Sequence, residues 1–538
     1  MSIRLRVLVC FVLCGAAVGQ QAGLPASLSS DTDSQTPQTQ SLGDLARKMR
    51  KDTTTEVKMT DADAKKLFAE VDKLLTFASE DSGFPKRASV KRQLVSREEV
   101  EKYTHEQMQK AEYVQRFGRS ELTMKKIGLL PRDFNLREFL VKANGQEIAG
   151  YYDEDTKVIS LLNWVAPDRQ EPILAHELTH ALQDQNYNLK SWMLREPAPG
   201  DAGNPAAEGD SGNNDERQTA RKAVVEGQAM VVYIDYLLQP FGRNLKDMPG
   251  LVYQMEDPAV KASIDSQMMH DAPMILREAG TFPYREGLIF EAELLGNGGR
   301  AMAFPGVFAR PPANSHEVLQ PRAYIDREKL AGVHIPDVKE VLGGEYDVYD
   351  SGGVGELDVR ALLRQYGTRR VADDLSTAWR GGVYVTLRRS GKAGASDPTP
   401  ADLALLYVSR WKSPESAAHF ARFYAASVSQ RYANATVQPT RSCAGAHCPV
   451  SSIEVATQEG PVIVEQWADS TVLVSESLDQ AAAAKLRDAV LKSGNEVHAD
   501  ARQDDELSFR FYDVPAFLEF QSAIGRRITA GIQKRARH

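Results

Sequence analysis

The chain has 538 residues, of which 42% are hydrophobic and 26% charged, with a formal net charge of −8. These proportions are ordinary for a soluble globular protein, and the length suggests two or three domains. An acidic charge spread along the sequence argues against a nucleic-acid partner.

Met1 to Gln20 reads as a secretory signal peptide. Arg4 and Arg6 form a positive n-region, and Val7 to Val18 is apolar but short for a membrane span. The small residues Ala17-Val18-Gly19 place cleavage after Gly19, giving a signal over 1–19. An uncleaved anchor is the alternative. Neither Cys10 nor Cys14 follows the small residue a lipid-attachment site needs. The expectation is an exported chain, periplasmic or secreted, with no stable membrane insertion after processing.

Residues 20–44 are rich in Gln, Ser, Thr and Asp without an apolar period, the composition of a disordered linker. A helix is predicted from Thr60 to Ser79, capped by Thr60, with Ala64, Leu67, Phe68, Val71, Leu74 and Leu75 on one face. It could open the catalytic domain or act as an inhibitory pro-segment. Ala88 to Val95 reads as a short strand. Ser96-Arg97-Glu98-Glu99 is a capping box opening a helix toward Phe117, with a further helical piece near Thr123. Gln146–Tyr152 and Lys157–Leu162 alternate as two strands of a hairpin.

The next helix carries His176-Glu177-Leu178-Thr179-His180, an H-E-x-x-H spacing. Residues four apart share a helical face, so both imidazoles can meet one metal ion. Glu177 lies about 100° around the helix, where its carboxylate can reach a metal-associated water. Ile173, Leu174, Leu178, Ala181 and Leu182 supply the apolar stripe, and Pro172 suits a first-turn position. A catalytic zinc takes three protein ligands. Gln183 and Asn186 occupy the positions where a metzincin would place Gly and His, so the third ligand is sought elsewhere. Glu226 stands in the apolar run Ala223–Val232, where a carboxylate is costly unless bound to a cation. Gly227 and Ala229 are small enough to let that helix approach the first. Asp215, Glu216 and His270 are weaker candidates. The intervening loop, 195–218, reads as a lid or a surface insertion.

Residues 250–375 are predicted mostly helical, with Tyr284 and His316 as polar groups able to approach the metal face. After Gly381-Gly382 the order β-β-α-β-β-β-α suggests a small α+β sandwich, a ferredoxin-like arrangement being one option. Cys443 and Cys448 read as one local disulfide in an exported chain; a second metal site with His447 is the other reading. The tail over 501–538 is basic.

His176-Glu177-Leu178-Thr179-His180-Ala181-Leu182-Gln183-Asp184, followed by Val225-Glu226-Gly227-Gln228-Ala229, resembles the gluzincin zinc metallopeptidases. It is most similar to exported bacterial proteins with a minimal gluzincin-like core. Gly150-Tyr151-Tyr152-Asp153, Phe282-Pro283-Tyr284-Arg285-Glu286-Gly287, Arg310-Pro311-Pro312 and Pro321-Arg322-Ala323-Tyr324 resemble that group too. Where its members often carry His-Pro, this chain has Gln320-Pro321. The resemblance implies an α+β fold: a mostly helical peptidase domain over 45–380 with a small sheet, then an α+β domain over 381–500. It implies one Zn2+ per chain on His176, His180 and Glu226, with Glu177 as general base. A peptide or protein substrate would pair with the edge strand at Gly150, Tyr151 and Tyr152. Tyr284 would be the candidate oxyanion stabiliser. A non-catalytic or latent binding protein on the same core is the competing reading. Oligomeric state is left open.

Overall fold

The computed structural model describes residues 10–11, 59–96, 98–99, 102, 111–139, 148–164, 167–195, 212–253, 271–330, 332–391, 398–439 and 448–493. The expected linker, His270, Cys443, His447, the basic tail and all of the signal except Cys10–Phe11 lie outside them. No helix among the described residues is long and apolar enough to cross a membrane.

The chain is α+β. Helix α1 (Asp61–Ser82) starts where the sequence places it: Thr60 accepts from the Asp63 amide, Asp63 returns the bond, and Gly83 in the left-handed region ends it. Leu67, Val71, Leu74, Leu75 and Ala78 bury its face in the core shared with the metal-motif helix. The Ser96–Glu99 capping box forms reciprocally. The end of the helix expected from Ser96 toward Phe117 and the piece expected near Thr123 lie on one helix, α2 (Ala111–Ile127), because no residue between them breaks the i→i−4 ladder; residues 103–110 lie outside the described residues.

Strands β1 (Cys10–Phe11), β2 (Lys91–Val95), β3 (Ile148–Asp153) and β4 (Val158–Leu162) form a sheet in the order β1-β3-β4-β2. The hairpin pairs Tyr151 with Ser160 and Tyr152 with Ile159, and β2 lies parallel to β4. Helix α3 (Pro167–Tyr187) follows and packs on β3. Its first residue is Pro167, so Pro172 sits inside the helix, forgoing one backbone bond, and not in the first turn. Helices α4 (Leu189–Leu194), α5 (Gly212–Leu238) and α6 (Met274–Ala301) complete this half. Gly227 does not serve the α3 contact. A Cβ there would lie 2.4 Å from the Gly287 carbonyl carbon, and one on Gly287 would lie 2.2 Å from the Ala223 oxygen. The two glycines let α5 and α6 touch backbone to backbone. After a break at Gly299, α6 continues into a π-helical turn, Met302–Gly306.

Short helices α7 (Ser315–Leu319), α8 (Pro321–Asp326) and α9 (Val338–Leu342) lead to a seven-stranded antiparallel sheet. Its strands are β5 (Tyr346–Gly353), β6 (Trp379–Arg389), β7 (Leu403–Trp411), β8 (Thr436–Val437), β9 (Ser451–Thr457), β10 (Gly460–Gln466) and β11 (Thr471–Glu476), in the order β5-β6-β7-β11-β10-β9-β8. The sheet therefore begins at Tyr346, within the stretch expected to be helical. Helices α10 (Glu356–Tyr366) and α11 (Arg369–Ser376) separate its first two strands. The ferredoxin-like option is not realised. In that fold one strand separates the two joined by a helix; here β11, β10 and β9 all lie between β7 and β8, the strands that α12 (Pro414–Arg431) joins.

Alternation along β7 explains the layering. Leu405 and Tyr407 face one core with Phe420 and Tyr424 of α12 (Pro414–Arg431), while Ala404, Leu406 and Val408 face another with Leu486 of α13 (Gln480–Ser493). Helices thus cover both faces. The first of these cores also takes in Leu276 of α6 and Leu362 of α10, so the sheet and the helical half share one interior. Ion pairs reinforce the join. Arg360 of α10 meets Glu278 at 2.9 Å and Glu286 at 3.1 Å on α6, and Lys126 of α2 meets Glu459 at 3.0 Å.

Candidate metal centre

His176 and His180 project one turn apart from α3, and Glu226 comes from α5. The Nε2 atoms of the two imidazoles are 3.1 Å apart. Glu226 Oε2 lies 3.2 Å from His176 Nε2 and 3.3 Å from His180 Nε2. Among the described residues these three form a group able to hold a metal ion. Tetrahedral coordination at zinc bond lengths separates ligand atoms by about 3.3 Å, close to this triangle. None of the three is more than 1% exposed. Glu226 Oε1 is buried without a hydrogen-bond partner, as suits a carboxylate whose second oxygen also faces a cation. Two nitrogens and one oxygen are a donor set for a borderline cation.

Electrostatics agree with a charged site. Burial pushes His176 down to about 4. Burial works against the charged form of His180 too, but the Glu226 carboxylate outweighs it and raises that group to about 9. For Glu226, burial would raise the carboxyl; the two imidazoles overcome this and hold it well below the usual carboxylate range.

Glu177 is also fully buried, and its Oε2 accepts the Tyr152 amide of β3 at 3.0 Å. Strand β3 thereby fixes the carboxylate next to the candidate ligands; it is not the edge strand expected, because Cys10–Phe11 pairs along its outer side. The Tyr152 side chain is turned to α3, where its hydroxyl donates to Asp184 Oδ2 at 2.8 Å beside Lys157 at 2.5 Å. Burial and Asp184 push that phenol above its ordinary range, so it stays a donor. The Tyr152 phenol therefore anchors α3 to β3; Gly150 and Tyr151, expected with Tyr152 to pair with substrate, lie on the same strand. Tyr284 is brought close, its ring centroid 6.5 Å from that of His176.

The weaker ligand candidates are placed elsewhere. Glu216 accepts from the Ser315 amide at 3.0 Å and hydroxyl at 2.6 Å, and Asp215 shares that end of α5. His316 Nδ1 meets Glu356 Oε2 at 2.6 Å, and Gln320 donates to the other oxygen of Glu356 at 3.0 Å. Arg285 and Glu286 belong to the ion-pair network with Arg360. Arg310 stacks 3.6 Å over the Tyr324 ring; its guanidinium donates to the Tyr324 carbonyl and the Tyr324 hydroxyl donates to the Arg310 carbonyl. Cys448 is disulfide-bonded. Asn186 donates to the carbonyls of Pro85 and Leu182, away from the metal group. Gln183 and Gln228, which sequence reasoning passed over, lie directly behind His180. Their signal was weak: two glutamines, on helices already marked by ligands, at positions a helical projection places beside the ligand face.

Comparison with known proteins bears on the sheet. Residues 345–487 match a family model described as a domain of unknown function (DUF8575). No curated protein and no solved structure matches the chain. The matched segment runs from β5 into α13, and the His176, His180 and Glu226 group lies outside it.

Proposed function

We propose that the protein is an exported zinc-dependent peptidase with a gluzincin-like core. The observation that carries this reading is the buried triangle of His176, His180 and Glu226 with Glu177 one residue from the first ligand. When bound there, zinc supplies Lewis acidity, polarising a carbonyl and acidifying a water. The chain's own groups do the rest. Glu177, held by the Tyr152 amide, takes the proton from the attacking water at its carboxylate and passes it to the leaving amine. Tyr284 is the neighbouring group suited to donate to the developing oxyanion. β3 runs beside the site, and its outer edge pairs with Cys10–Phe11, Gly150 lying opposite Cys10; with the expected signal removed, that edge is where a peptide would pair.

The complete burial of all four residues favours a second reading, a latent or non-catalytic protein that keeps the metal for its structure or for binding. Zinc content and peptide hydrolysis of the purified chain separate the two. The expected result is one zinc per chain, hydrolysis by the wild type, zinc without hydrolysis in Glu177→Gln, and loss of zinc in Glu226→Ala. Zinc with no cleavage of a broad peptide library would favour the latent protein. Normal turnover by Glu177→Gln would sink the mechanism.

A further inference from the structure

Behind His180 runs a chain of side-chain amides whose direction is fixed at its far end. Gln228 Nε2 reaches the carbonyls of Ala303 at 2.7 Å and Phe304 at 3.2 Å, both in the π-helical turn Met302–Gly306. Carbonyls only accept, so Gln228 must present its nitrogen to them and its oxygen the other way. That oxygen lies 2.9 Å from Gln183 Nε2, which also donates to the Val225 carbonyl at 3.0 Å. Gln183 is then left with its oxygen toward His180 Nδ1, at 2.9 Å. His180 must donate from Nδ1, so Nε2 is the nitrogen turned to Glu226 and His176. Gln183 and Gln228 are both fully buried, so water cannot substitute for either.

We propose that Gln183 and Gln228 are positioning residues of the metal centre. They form a directional relay by which main-chain carbonyls of the π-helical turn set the tautomer and ring orientation of His180. The inference rests on the metal reading above and goes beyond it. It assigns two residues to the site and gives the π-helical turn a role there. Such turns are rare inside helices and recur at functional sites. Outer partners of ligating histidines usually include a carboxylate or a main-chain carbonyl. A relay of two carboxamides orients the ring without adding negative charge.

The test is zinc affinity by competition with a chromophoric chelator, on the full chain, beside thermal melting without added metal. The variants are Gln183→Met, Gln228→Met, the double variant and Gln183→Glu. Gln183→Met is expected to weaken zinc binding by about 10- to 100-fold. Gln228→Met should weaken it less. The double variant should match Gln183→Met within about twofold, because Gln228 acts only through Gln183. Gln183→Glu keeps an acceptor for Nδ1 and should recover much of the affinity. Residues that merely pack would lower the melting temperature and leave zinc affinity unchanged. Wild-type-like affinity in Gln183→Met, or losses that multiply in the double variant, would overturn the relay alone. A wild-type chain that binds no zinc would overturn the metal reading and the relay together.

Discussion

A carboxylate buried in a helical core needs a partner, and this chain resolves the problem in different ways. Glu226 has two imidazoles. Glu278 has arginines, whose charges overcome burial and hold it below the ordinary carboxylate range. Glu291, fully buried with neither oxygen bonded, is pushed well above that range by burial. Asp235 of α5 is intermediate. Burial, then the nearby Asp81 charge, raises it to about 7, although Arg300 reaches it at 3.5 Å and the Leu245 amide at 2.5 Å. A folded-state value above the unfolded one means that the folded chain holds a proton the unfolded chain has released. The contribution to stability is full below about pH 4 and is lost as pH rises toward 7. Asp235→Asn keeps the acceptor for Leu245 and removes that loss. It should stabilise the protein by about 2 kcal/mol at pH 8, with the difference vanishing near pH 4. Urea unfolding at the two pH values checks this; an equal gain at both would point to a cause other than proton linkage.

At the scale of elements, local rules read well and partner choice does not. The Thr60 cap, the Ser96–Glu99 box and the alternation of the β3–β4 hairpin were all visible in sequence. The small residues beside Glu226 were visible too, but a glycine does not name the helix it admits. Gly227 meets Gly287 of α6, whereas Val225, Glu226 and Gln228 meet α3. This contact sets where α5 lies and so where Glu226 points. Gly227→Ala would put a methyl group 2.4 Å from the Gly287 main chain and must push the helices apart. A loss of about 1–3 kcal/mol is expected, with weaker binding at the proposed zinc site because the displaced residue adjoins Glu226. Thermal melting and zinc titration of the same variant test both halves; unchanged affinity would separate the crossing from the metal centre.

For the whole molecule, the question is whether the sheet is an accessory. The family match covers 345–487, which invites the idea of a detachable module. The interior argues otherwise. Ile127, Leu130 and Leu276 from the helical half bury themselves against the sheet side. Lys126 is neutralised by Glu459 and Glu476, and Glu278 by Arg360 and Arg364. Ending the chain at Gly344 would expose that apolar face and leave buried charges unpaired, a costly combination. The expected outcome is an insoluble or unfolded fragment, and one cooperative calorimetric transition for the intact chain. A soluble 59–344 fragment that melts cooperatively and binds zinc would show the two parts to be independent.

The sequence by itself determined what depends on near neighbours: helix starts and stops, strand alternation, and the pair of imidazoles one turn apart. It also singled out Glu226, because a lone carboxylate in an apolar run demands a partner. Only the tertiary structure decided what depends on distant residues. It chose the strand order and brought the polar β5 into the sheet. It turned Tyr152 toward Asp184 and aligned two glutamines behind His180. The physical reason is the same in each case. Backbone rules repeat every two to four residues along the chain. The direction of a hydrogen bond and the identity of a packing partner are set by atoms that only the fold brings together.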